Sequence, residues 1–225
     1  MRWSTTSIVS GSAEWSPMSP DTAKPCFPDA AMVRAVALEA ELRNSHPSAR
    51  DRLLEKVDRP PADWDERSFL TIPGVVWTVS SDTCATGRLS APDNVAYDNY
   101  REFVFRQPRS AAELGAVMSA ESEEMFACYR FDGLDRWTSR SVGAWHEDSH
   151  VAVGYARDVL AKTTDDPELQ ECLGAYVSYL ESDEFRQYIG ALCSHLDASG
   201  QSGSATIRRG RAGRRWWRSE RRTTT

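Results

Sequence analysis

The chain has 225 residues, 40% hydrophobic and 27% charged, with a net charge of −6 at pH 7. That is the composition of one globular domain, or one domain with ragged ends. No apolar stretch approaches the roughly 20 residues of a transmembrane helix, and no apolar run of signal-peptide length follows Arg2, so neither a spanning helix nor a secretory signal is expected and a cytoplasmic location is the default expectation.

Met1–Pro28 is rich in Ser, Thr and Pro and shows neither a helical nor a strand period, so residues 1–28 read as a disordered leader. A helix is expected over Asp29–Arg43, with Asp29 as N-cap and Met32, Val33, Val36 and Ala40 as its apolar stripe. His46-Pro47 should stop it, and a short helix over Ser48–Val57 should end before Pro60-Pro61. Phe69–Ser80, with Val75, Val76, Trp77, Thr78 and Val79, reads as strand, divided by the Pro73-Gly74 turn. Ser81–Asn99 reads as loop. Arg101–Arg106 is a second strand candidate, with Phe103 and Phe105 on one face.

Ser110-Ala-Ala-Glu113 has the form of a capping box, followed by Leu114, Val117 and Met118 at helical spacing. Met125, Phe126 and Tyr129 carry that helix on or restart it over Glu121–Arg130. Phe131–Gly143 reads as loop, and helical character returns over Glu147–Lys162. Asp166-Pro167 is a helix start, with Pro at the first helical position. Leu169, Cys172, Leu173, Tyr176, Val177 and Leu180 then form a full amphipathic stripe. After Ser182, Phe185, Tyr188, Ile189, Leu192, Cys193 and Leu196 repeat it. The expected fold is mainly α with a minor β component (α+β). Its division is a leader over 1–28, a globular mainly helical domain over 29–204, and an arginine-rich tail over 205–225.

Five widely spaced cysteines, Cys26, Cys84, Cys128, Cys172 and Cys193, form no CxxC pair, so a structural zinc site of the usual spacing is absent and free thiols are expected. No G-x-S-x-G elbow or phosphate loop is present.

Ligand-type residues are densest at Trp145-His146-Glu147-Asp148-Ser149-His150. His146 and Asp148 form the H-x-D pair of a facial-triad iron site, with His195 as distal histidine and Arg208 or Arg209 placed to meet a cosubstrate carboxylate. That reading needs extended backbone at 145–148. In a helix, His146 and Asp148 would point about 200° apart. The same stretch matches H-E-x-x-H, with His146 and His150 as zinc ligands and Glu147 as general base. The third ligand would come from Glu168, Glu171, Glu181 or His195. The alternative for all of them is a polar helix start with acidic residues near its positive end.

Charge is unevenly placed. Residues 206–225 hold eight arginines and one glutamate, a net +7, so residues 1–205 carry −13. An acidic body argues against a nucleic-acid-binding core. The tail itself, with Trp216 and Trp217 among its arginines, has three readings. It is a flexible arm that binds RNA, DNA or an anionic membrane through phosphates and stacking, a solvated tail, or the product of an out-of-frame reading of GC-rich DNA.

Tyr179-Leu180-Glu181-Ser182-Asp183-Glu184-Phe185, then Ile189-Gly190-Ala191-Leu192-Cys193, then Gly203-Ser204-Ala205-Thr206, resemble the region just before the catalytic core of prolyl-4-hydroxylase-like Fe(II)/2-oxoglutarate-dependent oxygenases. The resemblance covers about 40 residues. It implies Fe(II) and 2-oxoglutarate as cofactors and oxidation of a small-molecule substrate or a side chain in an intact relative. After Thr206 the family's strands, Gly-Asp turn, H-x-D and distal histidine do not follow. The double-stranded β-helix is then truncated, the family's iron ligands map to no position here, and this chain is expected to be inactive.

Overall fold

The computed structural model describes residues 25, 27–43, 63–79, 81, 85–123 and 128–200. The helix expected over Ser48–Val57, most of the leader and the whole arginine-rich tail lie outside these residues.

The first helix, α1 (Ala30–Arg43), starts where its cap predicts, with Asp29 Oδ1 accepting from the Met32 amide at 2.8 Å. Val33, Val36 and Ala37 are its buried stripe. A 3-10 turn follows at Trp64–Glu66, then β1 (Trp77–Thr78). The strand expected over Phe69–Ser80 shrinks to those two residues for a physical reason. Gln107 reaches into the segment, accepts from the Val76 amide at 3.0 Å, and donates to the Ile72 and Val76 carbonyls at 2.7 Å each. A side chain thus supplies the bonds that a neighbouring strand would make.

Ser81–Asn99 is not simply a loop: it holds α2 (Thr86–Ser90) and β2 (Val95–Tyr97). β3 (Glu102–Val104) pairs antiparallel with β2, setting Val95 opposite Val104 and Ala96 opposite Phe103. α3 (Ala111–Glu123) follows, with Ser110 Oγ accepting from the Glu113 amide at 3.1 Å. Glu113 accepts from Arg109's amide at 2.8 Å, one residue before the cap amide expected. The extension over Glu121–Arg130 is corrected. Residues 124–127, with Met125 and Phe126, lie outside the described residues, but Tyr129–Arg130 are not helical: they form β4, paired antiparallel with β1.

Phe131–Gly143 also gains structure, namely α4 (Gly133–Arg136) and the start of α5 (Ser139–Lys162). α5 begins eight residues before the expected Glu147. Thr138 and Ser141 form a reciprocal capping box there, with Ser rather than Glu or Gln at the third helical position. α6 (Pro167–Leu180) and α7 (Asp183–Ala198) match expectation. Asp166 Oδ1 accepts from the Leu169 amide at 2.9 Å and Ser182 Oγ from the Phe185 amide at 3.1 Å. Every residue of the α6 stripe is buried. On α7 all are buried except Cys193, which is half-buried.

The β2–β3 hairpin is the wall between two cores. Successive side chains on a strand point to opposite faces. Ala96 and Phe103 enter one core with α5, α6 and α7. Val95 and Val104 enter the other, with Val33 and Val36 of α1 and Leu114, Val117 and Met118 of α3. Two long polar reaches tie the bundle to the irregular region: Tyr176 donates to the Leu70 carbonyl and Tyr188 to the Pro73 carbonyl, both at 2.8 Å. Phe27, at the end of the expected leader, packs on Tyr188 and stacks on His195 with ring centroids 4.8 Å apart. The described residues are mainly helical with a small antiparallel β component. None of their helices is long and apolar enough to cross a membrane.

Candidate functional site

His146, Glu147, Asp148 and His150 all lie inside α5, within an unbroken helix. The helix decides what they can hold. His146 and Asp148, two residues apart, project about 200° apart around the axis and cannot share one ion. The H-x-D iron reading therefore does not fit these residues. His146 and His150, four apart, share a face. The His146 ring stands edge-on to Phe185 at 5.5 Å, and its Nδ1 is shielded from solvent with no hydrogen-bond partner. His150 is exposed, with Nδ1 2.9 Å from the Glu147 carbonyl, and the Glu147 side chain is exposed.

The proposed third ligands are engaged elsewhere or apart. Glu171 pairs with Arg88 at 3.2 Å and Glu181 with Arg157 at 2.7 Å. Glu168 is in the first turn of α6, and His195 stacks on Phe27. Among the described residues no three His, Cys, Asp or Glu side chains gather as a metal site. Arg208, Arg209 and Gly203–Thr206 lie outside the described residues.

The stretch that resembles the oxygenases is the corner between α6 and α7. Ser182 Oγ accepts from the Phe185 amide and donates to the Tyr179 carbonyl at 2.7 Å, while Tyr179, Leu180 and Phe185 are buried around it. Burial pushes the Tyr179 phenol well above its ordinary range, with nearby Glu184 adding to the effect. Cys128 and Cys172 are buried and Cys193 is half-buried. Burial raises the thiol pKa of Cys172 and Cys193, which disfavours the reactive thiolate.

Three polar centres were not visible in the sequence. Asp98 caps the β2–β3 turn. Its Oδ1 accepts from the Tyr100 and Arg101 amides at 2.7 and 2.8 Å, and its Oδ2 from Tyr155 Oη at 2.7 Å. Burial, then the Asp98 charge, raises the Tyr155 phenol out of its ordinary range. Glu102 and Glu121 are fully buried around Tyr129. Glu102 accepts from the Gly87 amide at 2.9 Å and from Tyr129 Oη at 3.0 Å, and Glu121 accepts from the Tyr129 amide at 3.0 Å. These carboxylates serve backbone amides that no ladder reaches. A Cβ on the adjoining Gly87 would fall 2.3 Å from Glu102 Oε2, so any larger residue there displaces the Glu102 carboxylate.

The third centre is a cluster of tryptophans and arginines. Trp64 lies edge-on to Trp77 at 4.9 Å and to Trp137 at 5.0 Å. The Arg67 guanidinium sits 4.3 Å from the Trp64 ring and 5.2 Å from Trp137. That of Arg136 sits 5.7 Å from Trp64 and 5.5 Å from Trp77. Asp132 accepts from Trp77 Nε1 at 2.7 Å and from Arg136 Nε at 2.6 Å. Burial pulls Arg67 down to about 9, against the opposing pull of Asp65. The three tryptophans are 13 and 60 residues apart in the chain, so no local spacing announces them.

Comparison with known protein families, curated proteins and solved structures finds no match.

Proposed function

We propose that residues 29–204 are the helical, non-catalytic part of a relative of the Fe(II)/2-oxoglutarate oxygenases. The observation that supports this is the α6–α7 corner. The residues carrying the resemblance, Tyr179 to Phe185, form a buried, capped joint, from which α7 runs to Ala198. In an intact relative the iron and 2-oxoglutarate would supply the oxidation of a small molecule or side chain. The described residues of this chain would supply support: α6 and α7 braced on the Leu70–Pro73 segment through Tyr176 and Tyr188. His146 and Asp148 diverge on α5, so they take no part in holding iron.

Sequencing the coding DNA across codon 206 and translating the other two frames tests this directly. A shifted frame with alternating strand segments, an H-x-D and a later histidine is the expected result. If both frames stop quickly or lack those ligands, the reading is overturned.

A zinc hydrolase is the second reading, favoured by one observation. α5 runs unbroken through 146–150, so His146 and His150 occupy positions one turn apart on the same side of the helix, with Glu147 beside His146 in the chain. It requires a third donor from outside the described residues. Stoichiometric zinc in the purified protein, lost in His150→Ala, would support it, and zinc-free protein would remove it.

A further inference from the structure

Residues four apart on a helix stand one above the other, with Cβ atoms about 5–6 Å apart. His146 and His150 hold such positions well inside α5, which is capped at Thr138 and runs on to Lys162, so the backbone between them is fixed. His150 Nδ1 lies 2.9 Å from the Glu147 carbonyl. A carbonyl only accepts, so Nδ1 carries the proton, and in the neutral ring the lone pair is on Nε2. His150 is exposed, and that Nε2 meets no partner among the described residues. His146 is half-buried, with Nδ1 shielded and the ring edge-on to Phe185. Its Nε2 is the nitrogen left to solvent, and it too meets no partner among the described residues.

We infer that His146 and His150 form a two-nitrogen clamp, through their Nε2 atoms, for an exchangeable divalent transition ion of the Ni(II), Cu(II) or Zn(II) class. Imidazole suits these ions, and two histidines one helical turn apart supply two of their positions. Water fills the rest. The clamp therefore needs neither a third protein donor nor Glu147 as a base, and it is independent of the hydrolase reading. The hydrogen bonds behind the two rings set how long the ion stays. The Glu147 carbonyl orients the His150 ring, whereas His146 Nδ1 has Phe185 beside it and no acceptor. A missing bond of that kind costs roughly 10–100-fold in metal affinity. The ion thus exchanges with solvent rather than surviving purification. Mg(II) and Ca(II), which take oxygen donors, are refused.

The test uses the full chain after EDTA treatment, titrated with Ni(II) alone and followed by calorimetry and thermal melting. One saturable site is expected, with a rise in Tm that grows with Ni(II), because an ion that binds only the folded helix stabilises it. His150→Ala, a change at an exposed position, should weaken that site by about tenfold or more, since the second imidazole acts at high effective concentration. His150→Ala combined with Val151→His restores the number of histidines but turns the second ring to another face of α5, so binding should stay weak. His195→Ala on α7 should leave the site unchanged, and Mg(II) should not move Tm. Absence of saturable binding up to about 1 mM Ni(II) in the unsubstituted chain overturns the clamp. So does binding that survives His150→Ala, returns with Val151→His or disappears in His195→Ala, and so does an equal response to Mg(II). Protein that purifies without zinc removes the hydrolase reading and is the result the clamp expects.

Discussion

The α5–α7 bundle and the region from Trp64 to Arg136 are both densely buried but are held by different means. In the bundle, a stripe at helical spacing meets another stripe, and each helix satisfies its own backbone. From 64 to 136 the elements are two to five residues long, apart from α3. Their backbone groups are satisfied by side chains from far along the chain: Gln107 on Ile72 and Val76, Asn94 on the Arg106 carbonyl, and Glu121 on Tyr129. The bundle therefore depends on volume, whereas the braced region depends on individual hydrogen bonds. A volume is degenerate, since many apolar side chains fill it nearly as well. A set of three bonds to fixed backbone atoms is not.

The sharpest break of that contrast is a pair of substitutions. Gln107→Ala strands one buried amide and two buried carbonyls, at roughly 1–3 kcal/mol each, so a loss of about 4 kcal/mol is expected. Phe185→Ala should cost about the same through a cavity between α5, α6 and α7. The two should then part company on repair. Phe185→Leu should recover most of the stability, and Gln107→Leu, which fills the space but bonds nothing, little of it. Denaturant unfolding of the four variants reads this, and equal recovery at both positions would erase the distinction.

Next in size is Gly133→Ala. A Cβ there would lie 2.1 Å from the Gly74 carbonyl oxygen and 2.9 Å from that of Val75, both backbone atoms that cannot swing aside. About 2–3 kcal/mol is expected. Gly154 and Gly174, on α5 and α6, have open space at the Cβ position, and alanine there should stabilise by up to about 1 kcal/mol. Thermal melts of the three variants should therefore move in opposite directions.

The link between the regions has a pH signature. Burial holds the Tyr176 and Tyr188 phenols well above their ordinary value. An acid whose folded pKa is raised stabilises the fold below its unfolded pKa, here about 10, and loses that contribution as pH climbs toward the folded value. Stability should fall above about pH 10. In Tyr176→Phe and Tyr188→Phe that alkaline fall should shrink, at a loss of about 1 kcal/mol each at neutral pH from the bonds to Leu70 and Pro73. Urea midpoints from pH 7 to 11 check both signs.

The same division explains what could be read without the structure. α6 and α7 carry stripe, cap and stop within 14 and 16 residues, so Asp166, Pro167 and Ser182 mark them unaided. The sequence puts the start of α5 eight residues late because its capping box uses Ser141, a residue equally at home in a loop. Val75 and Val76 have strand-forming side chains, yet their backbone partner is a glutamine 31 residues away. Asp98, Glu102, Glu121 and the tryptophan cluster depend on the same long-range placement. The H-E-x-x-H stretch was legible as letters, but only the helix shows that His146 turns to Phe185 while His150 faces solvent.

The smallest effect isolates local satisfaction from both volume and long-range bonding. Ser182 is half-buried, and its hydroxyl closes two bonds within three residues of itself, so its removal opens no large cavity and strands no distant group. Ser182→Ala should cost about 1 kcal/mol. Ser182→Gly should cost a few tenths, because glycine tolerates the extended cap conformation and admits water to the exposed amides. Ser182→Asp should match or exceed the serine, since a carboxylate oxygen can accept from the same amide and its charge suits the positive end of α7. The Asp gain should shrink with added salt, and the Ala loss should not. If Ser182→Ala instead cost as much as Phe185→Ala, the corner would be a long-range brace like Gln107 rather than a local cap. The bundle would then differ from the braced region in degree only.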